Sequence, residues 1–310
     1  MENKPTNLVE NKHLISNGAF LIASYAIQAM LYEVASYPSP GLVSAISNGA
    51  HTDMDHYSFI KSTSILSKYM VLFAQEGLSV KTPKEIFGAI RNIGIEAESE
   101  MLKGTEGVNT HKGIIFLLGI SCAAVTKAIY DKKNFDQIQD IIKQMTRGLV
   151  QSELSSMDSA KVKSYGEKLF LKYKVEGIRG QVEKGIPLVF DYSLKVYKEN
   201  SALNTNDRLI HTLISIMQHC EDSNVLHRHS METLEQVKQK AKDIISKGGM
   251  TTEIGKALVS ELDSEFIKQN ISPGGSADLL AVTVFFNLVE DYFNDISQEK
   301  SSTSVNDFCG

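Results

Sequence analysis

Glycine and proline flank small groups of polar side chains at six places in the chain, and these groups hold the residues best suited to chemistry. The segments are EVASYPSPGLV (33–43), NGAHTDMD (48–55), GVNTHKG (107–113), GIRGQVEKGIP (177–187), DSNVLHR (222–228) and SPGGSADLLA (272–281). Glycine lets the backbone approach a ligand closely, and unpaired N–H groups at helix N-termini attract anions such as phosphate. Six such segments are more than turns alone require.

The segment NGAHTDMD places an imidazole beside two carboxylates, since it contains His51, Asp53 and Asp55. Carboxylates two residues apart can hold Mg²⁺ through oxygen ligands. Aspartate just before an apolar helix is also an ordinary N-cap. The residues alone leave both interpretations open.

The segment GVNTHKG contains a cation between glycines. Lys112 can meet a phosphate as a point charge while Asn109 or Thr110 caps the following helix. The segment is not a Walker A loop, because Lys112 stands where that pattern requires glycine. A plain capped helix start and a phosphate contact both remain possible.

Arg179 lies in a glycine-rich segment and has two interpretations. It can pair with Glu183 across one helical turn, a contact of about 0.2–0.5 kcal/mol. It can also form a fork for a phosphate or a carboxylate.

Three further carboxylates have both a structural and a functional explanation. Glu33 ends a nearly all-apolar helix, and a buried carboxylate requires a partner or a raised pKa. Glu98 lies in an acidic run that is typical of a solvated helix face. Asp278 follows SPGGSA at a helix start, where it can complement the helix dipole.

These residues must be positioned by helices, because helical start and stop signals recur along the chain and strand alternation does not. Thr82-Pro83-Lys84-Glu85, for example, is a capping box with proline at the first helical position. We predict helices over Leu14–Val34, from an Asp53 or Asp55 cap to Gly77, Pro83–Met101, His111–Tyr130, Asp136–Leu149, Ala160–Tyr173, Val189–Lys198, Asp207–Cys220, Met231–Lys247, Thr252–Lys268 and Ala277–Phe293. The predicted fold is all-α, with one multi-helix domain over 1–295 and a polar, disordered tail over 296–310. We expect the active site to be built from interhelical loops, which hold the six segments, and from helix N-termini.

Composition argues against several kinds of partner. The 310 residues include 32 basic and 37 acidic side chains, mixed along the chain, for a net charge of -5. We therefore expect no nucleic-acid surface and no polybasic membrane patch. The longest apolar runs fall short of the roughly 20 residues that span a bilayer. Three cysteines without paired spacing, and no leader-like start, predict a cytoplasmic location.

A set of motifs in fixed order carries a resemblance over most of the chain. PSPGLV, NGAHTDMD, AESEM followed by GVNTHKG, GIRGQVEKGIP, DSNVLHR and SPGGSADLLA occur within the span from Glu33 to Ala281. Together they resemble the triphosphoribosyl-dephospho-CoA synthase family. Two positions depart from its pattern: Gln181 replaces the acid expected in a GARGE motif, and His229 replaces glycine.

The resemblance implies an all-helical enzyme that joins ATP to 3′-dephospho-CoA, releases adenine and makes 2′-(5″-triphosphoribosyl)-3′-dephospho-CoA. That product is the precursor of the acyl-carrier prosthetic group of citrate lyase or malonate decarboxylase. The 2′-hydroxyl would attack the anomeric carbon of ATP through a transition state with oxocarbenium character. A carboxylate or histidine must accept the hydroxyl proton, while cations and Mg²⁺ hold a triphosphate that stays intact.

The resemblance and the residue types together define a candidate site. The candidate catalytic residues are the carboxylates Glu33, Asp53, Asp55, Glu98 and Asp278. Two of them, Asp53 and Asp55, are also the candidate Mg²⁺ ligands. The candidate substrate- and phosphate-binding residues are His51, Asn109, His111, Lys112, Arg179, Asn224, Arg228, Ser272, Gly274, Gly275 and Ser276.

The expected partners are ATP and 3′-dephospho-CoA, with the product passed to a carrier-protein transferase. Two other functions also fit the residues. A helical metal-dependent hydrolase, with His51, Asp53 and Asp55 activating water, would release adenine or phosphate without dephospho-CoA. A non-catalytic nucleotide-binding protein, with Gln181 and His229 as early signs of lost activity, would bind ligands without turnover.

Overall fold

The computed structural model describes residues 15–155 and 165–306, with side chains described up to residue 296 except at the edges of the gap. Within these ranges the chain forms helices and no strand, which confirms the all-α prediction. The α-helices are α1 (Asn17–Ala35), α2 (His56–Gly77), α3 (Pro83–Gly104), α4 (Lys112–Tyr130), α5 (Ile138–Thr146), α6 (Tyr165–Tyr173), α7 (Gly177–Glu183), α8 (Leu194–Glu199), α9 (Thr205–Met217), α10 (Ser223–Arg228), α11 (Met231–Ser246), α12 (Glu253–Gln269) and α13 (Gly274–Asn306). Short 3₁₀ turns lie at Phe135–Gln137 and Gly249–Thr251, and π-helical turns lie at Gln151–Ser155 and Leu188–Ser193.

Helices α2 and α3 begin at the capping residues that the sequence predicts. Thr82 and Glu85 form the reciprocal capping box of α3, with Pro83 at its first position. Asp55 caps α2 through Ser58, which decides between the two aspartates proposed for that role. Each cap satisfies backbone N–H groups that the helix itself leaves unpaired.

Helix α4 is buried along most of its length and packs against α1, α2, α3 and α13. Gly77 of α2 lies so near α4 that a Cβ there would be 2.2 Å from the carbonyl oxygen of Ala123. Phe73, also on α2, covers Gly119 of α4. Because GVNTHKG leads directly into α4, this packing fixes that segment at the edge of the core.

Two helices of the described chain, α1 and α4, are long and apolar enough to cross a membrane by length and composition alone. In the most apolar 18-residue stretch of each helix, 78% of α4 and 44% of α1 is buried inside the fold. Packing within a helical core explains the composition of α4 without a membrane.

Two segments predicted to be interhelical loops contain short helices, α7 and α10. Asp222 caps α10 by accepting hydrogen bonds from the N–H groups of Asn224 and Val225. The other predicted helices are present with shifted ends, although 160–164 lies outside the described residues. Helix α13 starts at Gly274 and continues past residue 295, so the proposed domain boundary falls inside a helix, and disorder of the tail stays a prediction.

Candidate active site

One buried carboxylate joins the start of α10 to the start of α13. Oδ2 of Asp222 accepts hydrogen bonds from the backbone N–H (2.8 Å) and the hydroxyl (3.0 Å) of Ser276. The side chain of Asn224 lies against Gly274, where a Cβ would be 2.4 Å from the amide nitrogen. Three predicted binding residues, Asn224, Gly274 and Ser276, therefore do come together. The donors of Ser276, however, already face a carboxylate.

Asp278 lies one turn into α13 and packs against the first turn of α4. A Cβ on Gly113 would be only 1.9 Å from Oδ2 of Asp278, so the carboxylate needs a glycine at that position. The N-terminus of α4 has unpaired N–H groups and a partial positive charge, which favour a carboxylate. Asp278 therefore lies at the N-terminus of a neighbouring helix, whereas the sequence suggested that it complements the dipole of its own.

Three carboxyl groups with raised pKa values are near one another. Burial raises the pKa of Glu33 to about 8. Burial, and then the charges of Glu33 and Asp222, raise the pKa of Asp278 well above its usual range. Burial also raises the pKa of Asp222, although hydrogen bonds from Ser276 oppose the shift.

Asp222 accepts hydrogen bonds at both oxygens. The side chains of Glu33 and Asp278, in contrast, have no hydrogen bond or ion pair within the described residues. The sequence left two possibilities for a buried Glu33, a partner or a raised pKa. In the structure its pKa is raised and it has no partner within the described residues. Two unpartnered carboxyls with pKa values moved toward neutrality can exchange a proton with a substrate hydroxyl.

His51 links two distant segments. Its Nε2 lies 2.9 Å from Oγ of Ser272, and its Nδ1 lies 3.0 Å from Nη2 of Arg228. Asp53 Oδ1 is 3.7 Å from the same Nδ1. A cleft of about 600 Å³ lies here, lined by Ala50, His51, Thr52, Asp53, Arg228, His229, Gln269 and Asn270.

His111 is a neutral group in the interior. Its Nδ1 lies 2.7 Å from Oγ of Ser62, and the Thr110 hydroxyl donates to the same Oγ (2.8 Å). The ring of Phe59 packs edge-on against the imidazole, with centroids 4.9 Å apart. Burial lowers the pKa of His111 to about 3. Any phosphate contact by His111 would therefore use a hydrogen bond and not a charge.

Lys112 and Glu98, predicted for different roles, form an ion pair. Lys112 Nζ lies 2.5 Å from Glu98 Oε1. Oδ1 of Asn109 accepts a hydrogen bond from the backbone N–H of Lys112 (3.1 Å). The N-cap position of α4 is occupied by His111, without a side-chain cap, so neither Asn109 nor Thr110 is the N-cap that the sequence suggested. The Lys112 side chain is 55% exposed and that of Glu98 is 32% exposed, and a pair this open contributes at most about 1 kcal/mol. A polyphosphate can therefore replace Glu98 as the partner of Lys112 at low cost.

Asp53 and Asp55 lie at the start of α2 but are used differently. Oδ1 of Asp55 accepts two hydrogen bonds from Ser58, each 2.8 Å, and these lower the pKa of Asp55. The side chain of Asp53 is 59% exposed. Within the described residues, no group of three or more His, Cys, Asp or Glu side chains is arranged to hold a metal. The two aspartates fit Mg²⁺ only with further ligands from ATP and water, and this site stays a prediction.

Arg179 contacts a carboxylate that the sequence analysis did not identify. Its Nε donates to Oε2 of Glu153 (2.8 Å), and Arg91 binds the other oxygen of that carboxylate. Glu183, the alternative partner, accepts hydrogen bonds from backbone N–H groups of the loop after α5. Arg179 thus pairs with Glu153 through a single hydrogen bond and not with Glu183, and its proposed role as a fork for phosphate stays a prediction.

The two departures from the family pattern have structural roles. Oε1 of Gln181 accepts a long hydrogen bond (3.4 Å) from the N–H of Leu188. His229 lines the cleft, with its Nε2 2.9 Å from the carbonyl oxygen of Asn270.

Three residues that contact predicted site residues were missed by sequence reasoning: Ser62 beside His111, Glu153 beside Arg179 and Asp222 beside Ser276. An aspartate before Ser223 is an N-cap signal, so Asp222 was accessible from local sequence. Ser62 and Glu153 act on residues far away in the chain, His111 and Arg179, and local sequence contains no signal for such contacts.

Fold and site together define an all-helical protein in which buried carboxyl groups and several helix N-termini meet, as expected of a helical nucleotide-using enzyme. Comparison with known proteins makes the assignment specific. Residues 19–297 match the family described as CitG: ATP:dephospho-CoA triphosphoribosyl transferase, and the chain belongs to this family. Family membership identifies it as an enzyme of this transferase class.

Individual relatives agree with this assignment. A probable 2-(5''-triphosphoribosyl)-3'-dephosphocoenzyme-A synthase of Vibrio cholerae is 38% identical over 87% of this chain and 88% of its own. One with the same name from Lactiplantibacillus plantarum is 36% identical over 87% of this chain and 98% of its own. Protein CitXG of Leuconostoc mesenteroides is 38% identical over 85% of this chain and 58% of its own. No solved structure matches the chain. The family suggested by the six segments is thereby confirmed.

Proposed function

We propose that this protein transfers the triphosphoribosyl group of ATP to the 2′-hydroxyl of 3′-dephospho-CoA, with release of adenine, at the cluster around Glu33 and Asp278. Family membership supports the reaction. The observation that carries the location is a pair of unpartnered carboxyls with raised pKa values, the buried Glu33 and the partly buried Asp278, of which Asp278 lies beside the N-terminus of α4.

The chemistry requires a group that accepts the proton of the attacking hydroxyl. A base works best when its pKa lies near the working pH, which burial achieves here for a carboxyl group. In the ionised form, Glu33 or Asp278 would also stabilise positive charge that develops on the ribose. We propose that these two groups share the base and charge-stabilising roles.

The phosphate chains need cations, and the site offers them at its edge. We propose Lys112, held by a weak ion pair, and Arg228, which lines the cleft, for this role. Mg²⁺ accompanying ATP would neutralise further phosphate charge, with Asp53 and Asp55 as its protein ligands. The triphosphate is transferred whole, so these groups anchor it and do not cleave it.

The biological setting follows from the family relationship. We propose that the product passes to a carrier-protein transferase in the cytoplasm. The prosthetic group made from this product would serve citrate lyase, and a role in malonate decarboxylase maturation is the alternative.

Replacing Asp278 tests the location of the site. Asp278→Asn keeps the size of the side chain and removes its ability to accept a proton. We expect adenine release from ATP plus dephospho-CoA to fall about 100-fold or more, measured by chromatography. Asp291→Asn on the same helix, paired with Asn287 away from the cluster, is the matched control. A folded Asp278→Asn protein with wild-type turnover would show that the site lies elsewhere.

A further inference from the structure

A chain of hydrogen bonds connects three segments that are far apart in sequence. It runs from Arg228 at the end of α10, through His51 in the loop before α2, to Ser272 just before α13. We infer that His51 is a positioning residue that acts as a neutral hydrogen-bond donor and orients the Ser272 hydroxyl toward an anionic oxygen of the substrate. This inference rests on the proposed function for the identity of the substrate.

The guanidinium of Arg228 determines which nitrogen of His51 carries the proton. Arginine has five N–H donors and no acceptor, so its Nη2, 3.0 Å from Nδ1 of His51, must donate. Nδ1 therefore carries no proton. In a neutral imidazole the proton then lies on Nε2, which donates to Oγ of Ser272 at 2.9 Å.

The direction of these bonds leaves one donor available. Oγ of Ser272 accepts a hydrogen bond from His51, so its own hydrogen needs a different acceptor. Within the described residues no such acceptor lies in hydrogen-bond range. Ser272 is only 4% exposed, and an O–H group buried without an acceptor is costly. A phosphate oxygen of the substrate, bound beside the cleft, would satisfy it.

The same geometry rules out another role for these residues. Ser272, His51 and Asp53 have the order of a nucleophilic triad, with Asp53 Oδ1 3.7 Å from Nδ1. A nucleophilic serine, however, must give its proton to an unprotonated Nε2. Because Arg228 occupies Nδ1, Nε2 already carries a proton and cannot accept one.

Two other polar side chains lie near His51. Oδ1 of Asp53 is 3.7 Å from Nδ1, and His229 lines the same cleft through its contact with the carbonyl of Asn270. Because the donor from Arg228 occupies Nδ1, His51 contacts Ser272 as a neutral donor and not as a phosphate-binding cation.

Two substitutions distinguish a neutral donor from a cation. Glutamine can accept from Arg228 through its oxygen and donate to Ser272 through its nitrogen, whereas lysine can only donate. We expect kcat/KM of His51→Gln to exceed that of His51→Lys by roughly 10-fold. His51→Ala and Ser272→Ala should each lower kcat/KM, and the double variant should lose little more than the worse single one. A higher value for His51→Lys, or additive losses, would overturn the inference.

A measurement without turnover separates this inference from the proposed function. In protein labelled with ¹⁵N-histidine, two-bond ¹H–¹⁵N NMR spectra report the protonation of each ring nitrogen, and His51→Gln identifies the signal. We expect His51 to have a protonated Nε2 and a bare Nδ1 between pH 6 and 8. Protonated Nδ1 at pH 7 would overturn the inference even in an active enzyme, and absent adenine release with the expected spectrum would reject only the proposed function.

Discussion

At the scale of single residues, the site depends on carboxyl groups whose environment changes their acidity. Glu33 is buried and Asp278 partly buried, and neither side chain has a partner within the described residues, while Asp222 receives hydrogen bonds at both oxygens. Desolvation penalises the charged form of each group, but only Asp222 has its charge compensated by N–H and O–H donors. This difference separates two candidate reactive groups from one structural group.

The raised pKa of Glu33 predicts a specific dependence of stability on pH. Burial raises that pKa from 4.5 to about 8, so the folded state favours the protonated form. The stabilising contribution of Glu33 is therefore complete below pH 4.5 and is lost as the pH rises through 8. Glu33→Gln, which stays neutral, should match the wild type near pH 4 and exceed it at pH 9 by at least about 1 kcal/mol in free energy of unfolding.

Denaturant unfolding at both pH values measures this difference. Glu261→Gln, on the exposed face of α12, is the control and should follow the wild type at both. Parallel curves for Glu33→Gln and the wild type would mean that Glu33 ionises normally in the folded protein.

Sequence reasoning at this scale identified candidate residues better than it identified their partners. Burial of Glu33 followed from its place at the end of an apolar helix. The pairing of Lys112 with Glu98, and of Arg179 with Glu153, did not follow. These pairs join different helices, so they depend on tertiary packing, which residue type and local spacing do not determine.

At the scale of helices, several N-termini converge on one region. The starts of α10 and α13 share the carboxylate of Asp222, and the start of α4 lies against Asp278. The sequence predicted that the site is built from interhelical loops and helix N-termini, and the contacts among these starts agree with it. The short helices α7 and α10 were missed because a single turn or two contains too little apolar periodicity to recognise.

Gly113 should be essential for placing Asp278. Replacing glycine by alanine inside a helix normally stabilises it by about 0.5–1 kcal/mol. At Gly113, however, the new Cβ would lie 1.9 Å from Oδ2 of Asp278 and 2.9 Å from its Cγ. We expect Gly113→Ala to displace the carboxylate and to lower adenine release roughly 10-fold or more.

Gly94 on α3 provides the matched control, because nothing lies within 4 Å of a Cβ built there. Gly94→Ala should raise the melting temperature and leave turnover at the wild-type level. Wild-type turnover in Gly113→Ala would contradict the proposed role of this contact.

At the scale of the whole molecule, an acidic protein binds two acidic substrates. The net charge of -5 gives no general attraction for ATP or dephospho-CoA, so binding must rely on local cations, helix N-termini and Mg²⁺. The all-α class was predictable because helical periodicity and capping signals are local. The way in which the segments containing His51, Gly113, Asp222 and Asp278 meet was not, since it depends on how α1, α2, α4 and α13 pack.

The most direct test of the proposed function is the coupling of the two substrates. The protein is incubated with ATP, Mg²⁺ and 3′-dephospho-CoA, and the products are identified by mass spectrometry, with each substrate omitted in turn. We predict equimolar adenine and 2′-(5″-triphosphoribosyl)-3′-dephospho-CoA, and neither product when dephospho-CoA is left out. Adenine or phosphate released from ATP alone, or ligand binding without any turnover, would contradict it.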